Sequence, residues 1–535
     1  MTAKCSNLKW TGLALAAALT GSCDLSESGS SDAPADVSTR TSGLTAQQRL
    51  TACAQDPRVV TGLATAQLCA GAGIFFQETF NGNGRTCGSC HPPQNNFTID
   101  SRFVATLPAS DPLFVFERDA NLTNLETDSL RAAGGILENV DGFEDPTHKF
   151  SIRSVPHTLA LATSITTDPA DPATTTPPEQ RTGWGGDGGS LLNFLATAIE
   201  QHYTKTLQRR SGIDFRTATT QELQLVQQFQ LALGRMNELD FSQVNVFDAQ
   251  AQVGKAAYLD PTRGRCQPCH ANGGANFADT GKNRNFDTGT RRAQNGQFTV
   301  PFFDGVALFD GGFGGKGLPH PNVLTVDFMP PNTPLNGFGN NTFNTPPVIE
   351  SADTLPGFHT NTFGPFPNAA DIENVISFYA TNFFLESPGA QELDARFGGP
   401  SNVAPDIDNI GRFIRALNAA LNMDMAKQRL RASQTILNRF HDQNVAVQKG
   451  LITLALAEID DALEVLTAAR LAQPFYPVAV DRLNLAKSEI AAALAGATSV
   501  QRQGPLSNAI SRVENARDQI GANINYTLGA GDLFF

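Results

Sequence analysis

Two short stretches of this 535-residue chain have residue types and spacing suited to one kind of chemistry: Cys-Gly-Ser-Cys-His at 87–91 and Cys-Gln-Pro-Cys-His at 266–270. Two cysteines three apart with a histidine directly behind them can form two thioether bonds to haem vinyl groups and give the iron one axial imidazole. Cys87, Cys90 and His91 therefore make one candidate haem c attachment site, and Cys266, Cys269 and His270 a second. A redox dithiol or half of a zinc site would use the same cysteines. The first needs no following histidine, and the second wants a further cysteine pair close by or two histidines with three to five residues between them, and neither motif has such a neighbour.

The chain that must position these motifs is long enough for two or three domains, and 41% hydrophobic residues make it globular. A net charge of −13 argues against nucleic acid or an anionic membrane surface as a partner and suits a basic redox donor protein. Residues 1–23 read as an export signal: Lys4 and Lys9 precede an apolar run from Trp10 to Leu19, too short to span a bilayer stably. Cys23 follows Thr20-Gly21-Ser22 and resembles the acylated cysteine of a lipoprotein, with the leucine of that pattern displaced to Leu19. Lipidated and free periplasmic forms both stay open. Residues 24–48, rich in Ser and Asp, suit a flexible tether. Once Cys5 and Cys23 and the four motif cysteines are set aside, Cys53 and Cys69 remain and are expected to form a disulfide in an exported chain; two buried thiols are the alternative.

The fold expected is mainly α: two cytochrome c-like haem domains, residues 49–245 and 246–420, in a pseudo-two-fold pair, with long loops and a helical extension over 421–535. In the first domain a helix follows Ser190, with Leu191, Phe194, Leu195, Ala198 and Ile199 on one face. The second opens with a helical stretch over 248–259 and closes with an amphipathic helix over 408–421. Between Gly305 and Thr345 lies a Gly/Pro/Phe-rich insertion without regular periodicity, and loops of that length are more often functional than decorative. Three helical patterns fill the extension: one through Leu451, Leu454, Ile459, Leu463 and Leu466, one over 477–495, and one over 505–524.

Two CxxCH motifs in an exported chain resemble the bacterial di-haem cytochrome c peroxidase family, which includes the enzyme that matures methylamine dehydrogenase and, more distantly, the rubber oxygenases. The likeness covers roughly residues 65–420. It is carried by Ile-Arg-Ser-Val-Pro-His at 152–157, Gly-Trp-Gly-Gly-Asp-Gly-Gly at 183–189, Thr-Leu-Pro-Gly-Phe-His at 354–359 and the helices at 372–379 and 410–419. The resemblance implies peroxide reduction at a first haem on His91, with electrons entering from a small monohaem cytochrome through a second haem on His270. Trp184 would lie between them, its alternative being a structural indole in a glycine-rich turn.

Other positions matter as much for what they lack. The second haem's distal ligand falls at Tyr379, with Met329 and His359 as rivals; a tyrosinate would favour ferric iron. No histidine or methionine follows the first motif closely, which implies a first iron open to peroxide or oxygen unless His148, His157 or His202 reaches it. The family's acid-base glutamate aligns with Thr204 and its glutamine with Phe194, so Glu200 or His202 would have to move the proton. That loss, with 36 Phe against 5 Tyr, is similar to the rubber oxygenases, where an open haem cleaves an alkene. The family's calcium site would use Thr354 and Pro356, with Ser154 in place of its Asn. The rivals to a peroxidase are an oxygenase or protein-modifying oxidase, and a non-enzymatic electron carrier.

Overall fold

A computed structural model describes residues 43–122, 126–138, 151–290, 308–313, 336–361, 371–392, 403–471 and 473–535, all within one compact unit, Thr41–Phe535. The signal, Cys23, most of the tether, His148 and Met329 lie outside the described residues. The chain is mainly helical. Its order begins at α1 (Ala46–Cys53), slightly inside the stretch read as tether, because Thr45 and Gln48 form a reciprocal capping box. Cys53 at its end is disulfide-bonded to Cys69, as expected for that pair.

Each CxxCH motif follows a helix that crosses a later helix at a glycine. In the first half, α2 (Ala66–Gln77), capped by Thr65, leads into the single turn α3 (Cys87–Cys90). Further on come α4 (Leu191–His202), capped by Ser190, and α5 (Thr220–Gln230). In the second, α6 (Ala249–Leu259), capped by Asp248, precedes Cys266; then come the short α7 (Ile372–Ser377) and the long α8 (Val403–Phe440). At the α2/α5 crossing a Cβ on Gly71 would sit 2.2 Å from the Leu225 carbonyl oxygen. At the α6/α8 crossing a Cβ on Gly254 would sit 1.8 Å from that of Asn409. Both helix pairs thus approach closer than any side chain allows.

Short strands complete the shell. β1 (Gly135–Glu138) pairs antiparallel with β2 (Ser151–Ser154). β5 (Asn336–Asn344) lies between β3 (Asn285–Phe286), antiparallel to it, and β4 (Leu308–Gly312), parallel to it. The glycine-rich insertion therefore carries strands at both ends. Its alternation is hidden by Gly and Asn, which carry no hydrophobic signal.

Residue 420, where composition changes, falls inside α8, whose 38 residues span roughly 57 Å. It runs on into a bundle with α9 (Val445–Leu466), α10 (Pro477–Ala495) and α11 (Ser499–Arg517). The last helix begins six residues earlier than its Pro505 suggests, since Thr498 and Gln501 form a capping box and Pro505 is tolerated within the helix. On α9, Leu451, Ile452, Ala455, Ile459, Ala462 and Val465 are buried at helical spacing. Each large one contributes roughly 1.5–3 kcal/mol. One continuous apolar core runs from Phe75 and Phe229 through Ile410 and Phe413 to Ile452, Leu483 and Leu506. Among the described residues no helix is long and apolar enough to cross a membrane.

Gly254→Ala should cost about 3 kcal/mol, because two backbones must separate. Gly450→Ala on α9, where an added Cβ meets nothing within 4 Å, should gain up to about 1 kcal/mol. Urea unfolding of the two variants checks this; equal effects would refute the crossing argument.

Candidate functional site

The two motifs have matching local geometry. Thr86 N donates to Ser89 Oγ at 3.0 Å and starts the turn that carries Cys87 and Cys90. His91 leaves that turn at φ −119°, ψ 62°, and His270 has φ −118°, ψ 60°. His91 Nδ1 lies 2.8 Å from the Phe97 carbonyl oxygen and His270 Nδ1 2.9 Å from that of Pro346. A carbonyl only accepts, so each Nδ1 carries the proton and each Nε2 keeps a free lone pair. Tyr258 Oη donates to the His270 carbonyl at 2.5 Å, and Tyr203 Oη to Cys87 Sγ at 3.0 Å.

Burial sets the charge state. It pushes both His91 and His270 down to about 4, so each is a neutral imidazole at pH 7. The Cys87 and Cys90 thiols are pushed up to about 11 and that of Cys266 to about 12, again by burial first. Zinc binding and dithiol exchange both need thiolates. Moreover, among the described residues no three His, Cys, Asp or Glu side chains converge on a metal position. Each motif thus offers two unbonded thiols and one neutral imidazole whose Nε2 keeps a lone pair.

Both motifs border one cavity of about 370 Å³. α4 forms a wall near the first motif through Leu191, Phe194, Leu195, Thr197, Ala198, Gln201 and His202; of the face expected from periodicity, Ile199 alone does not line the cavity. Trp184 lines the same cavity. Its Nε1 donates to the Ser154 carbonyl at 2.9 Å, its own carbonyl accepts from Asn344 N at 2.8 Å, and its ring meets His359 edge-on at 6.5 Å. Glycines at positive φ flank it at 183 and 186. The indole is thus held from both halves of the chain.

The acid-base candidates separate. His202 lines the cavity, and burial, then Arg85, Arg209 and His91, push it down to about 3. Glu200 does not line it and lies within reach of Arg209's charge. Thr204 is fully buried outside the cavity wall, its hydroxyl donating to the Thr206 carbonyl at 2.6 Å. His157 lines the cavity and lowers His91 further, so it too is near the first motif.

At the second motif Tyr379 lines the cavity; burial, then Cys269 and Cys266, push its phenol up. His359 is buried and stacked on Phe343 at 3.9 Å. Ser154, Thr354 and Pro356 also line the cavity, but Ser154 Oγ donates to the Phe358 carbonyl at 3.0 Å and Thr354 Oγ1 to that of Glu350 at 2.8 Å. Each hydroxyl donates its hydrogen and keeps its oxygen lone pairs, which with backbone carbonyls are what a calcium ion would use.

Sequence reading did not find Tyr203, or the carbonyls of Phe97 and Pro346. A carbonyl acceptor has no side-chain signature, but Tyr203, directly after His202 at the end of a cavity-lining helix, had a positional one.

A histidine whose folded value lies below its unfolded value of about 6.5 binds fewer protons when folded. The stability that His202 contributes is therefore full above that pH and is lost as pH falls toward 3. The His202→Leu variant should lose less stability than the parent between pH 6.5 and 4, as followed by urea midpoints; parallel losses would contradict the assignment. Comparison with protein-family models, with curated proteins and with solved structures finds no match to this chain.

Proposed function

We propose that this chain is a di-haem c-type oxidoreductase of the cytochrome c peroxidase kind, built from two cytochrome c-like halves. The observation that carries the reading is that two CxxCH motifs, each with its histidine Nδ1 on a backbone carbonyl, border one cavity that Trp184 also lines. Cys87, Cys90 and His91 would hold one haem, and Cys266, Cys269 and His270 the other. Bound there, the pair supplies iron that exchanges single electrons and, where a sixth position is open, takes up peroxide or oxygen.

The chain's own residues then have distinct tasks. Burial keeps His91 and His270 neutral as ligands. Trp184, hydrogen-bonded to Ser154 and flanked by His359, offers an aromatic bridge between the two ends of the cavity. His202 is the acid-base candidate on the wall: a neutral imidazole can take the proton from one peroxide oxygen and deliver it to the other. Two electrons from a donor and two further protons complete the reduction to water. A net charge of −13 suits a basic small cytochrome as that donor. Calcium at Ser154, Thr354 and Pro356 and a lipid tether at Cys23 belong to this reading as secondary elements.

A second reading, an oxygenase, is favoured by the apolar character of Leu191, Phe194, Leu195 and Ala198 on the α4 wall and by the placement of Glu200 and Thr204 away from it. A plain electron carrier would need His157 or His202 as a sixth ligand at the first motif.

Intact mass should show two covalent haems, and Cys87→Ser with Cys90→Ser should remove one; two haems in the double variant would refute the attachment site. Low-temperature EPR of the ferric protein should show a high-spin signal that stoichiometric peroxide consumes. Two low-spin signals indifferent to peroxide would favour the carrier, and a high-spin signal with slow peroxide turnover would favour the oxygenase.

A further inference from the structure

The first motif rests on two phenylalanines. The Phe97 carbonyl accepts from His91 Nδ1 at 2.8 Å. The Phe76 ring lies against Gly88, between the motif cysteines, where an added Cβ would meet Phe76 Cδ1 at 2.6 Å. Phe97 has φ 57° and Asn96 φ 53°, left-handed values that are unfavourable for a bulky residue and persist only where the surroundings hold them. The Phe97 N–H donates to the Pro92 carbonyl at 3.0 Å, and its side chain is 1% exposed, so ring packing must supply the rest of the hold. Among the described residues three rings meet that of Phe97: Phe75 and Phe76, each at 6.4 Å, and Phe535, the nearest, edge-on at 5.0 Å. Phe535 also meets Phe76 at 5.9 Å, so one ring bears on both supports of the motif. That ring is itself fixed: the Arg429 guanidinium on α8 lies over it at 4.9 Å, and Arg429 Nε donates to the Asp532 carbonyl at 3.0 Å.

We propose that Phe535 is a positioning residue for the first motif: by packing on Phe97 it fixes the carbonyl that accepts from His91, and so tunes the iron that His91 would hold. This rests on the di-haem reading. Donation from Nδ1 makes the imidazole a stronger base, which favours ferric iron. A loosened Phe97 carbonyl weakens that donation and moves the couple toward ferrous iron. The second motif draws its carbonyl from Pro346, outside this group of rings, and is the internal reference.

Spectroelectrochemical titration of the holoprotein reads both couples, the first identified by its loss in the Cys87→Ser, Cys90→Ser double variant. Phe535→Ala should favour ferrous iron at the first haem at least threefold, about 30 mV upward for a one-electron couple, with the second couple unmoved. Phe535→Tyr, which keeps the ring, should keep the parent value. Phe534→Ala removes the neighbouring ring, which sits beneath Arg58 at 4.2 Å, and should lower the urea midpoint without moving either couple. If Phe535→Ala does not accumulate as holoprotein, Phe535→Leu is read in the same way. Parent potentials in the Phe535 variant, equal shifts of both couples, or an equal shift in Phe534→Ala each overturns the proposal while leaving the di-haem reading standing. A parent without covalent haem by mass overturns both.

Discussion

The bond from each motif histidine's Nδ1 to a backbone carbonyl is the constraint on which the architecture depends. It fixes the tautomer, turns the ring and leaves Nε2 facing away from the acceptor. The two halves meet this need differently. Phe97 is six residues beyond His91 and reaches it by a tight turn with Asn96 and Phe97 both at positive φ. Pro346 is 76 residues beyond His270 and arrives just after β5. The three-stranded sheet in the second half therefore serves to bring one carbonyl oxygen to one imidazole.

Burying two motifs around one cavity also forces the nearby charges into pairs, because an unpaired charge in a low-dielectric shell is strongly destabilising. Arg85, two residues before Cys87, pairs with Glu126. Arg181 pairs with Asp171 at 2.5 Å, and Arg235 reaches Glu350 at 2.6 Å and Glu238 at 2.7 Å. All three arginines are fully buried. The Arg235–Glu350 pair joins the end of the first half to the segment after Pro346, so electrostatic satisfaction and the meeting of the two halves are one event.

Much of this was legible in the sequence where the signal is local. The CxxCH spacing, the Ser190 cap and the 477–495 helix follow from residue type over a few positions, and the Cys53–Cys69 disulfide from setting the other cysteines aside. The site's interior was legible only in part. Glu200, His202 and Thr204 are nearly adjacent in sequence, yet one lines the cavity and two do not, because a helix turns 100° per residue and ends at His202. The strands beside the insertion went unseen because Gly and Asn carry no alternation. The unbroken α8 went unseen because a change of composition at residue 420 does not interrupt helix propensity.

The residues nearest position 535 have a structural duty toward those near position 58. Arg58 Nη1 donates to the Leu533 carbonyl at 2.6 Å, Gly234 N donates to the Asp532 carboxylate at 2.9 Å, and Phe535 packs on Phe97 at 5.0 Å. Contacts of such sequence separation bring their reward only after the intervening chain has been ordered. The packing around Arg58 and Phe97 is therefore completed by residues far later in the chain. Until then Phe76 and Phe97 lack the Phe535 ring that packs on both of them, at 5.9 Å and 5.0 Å.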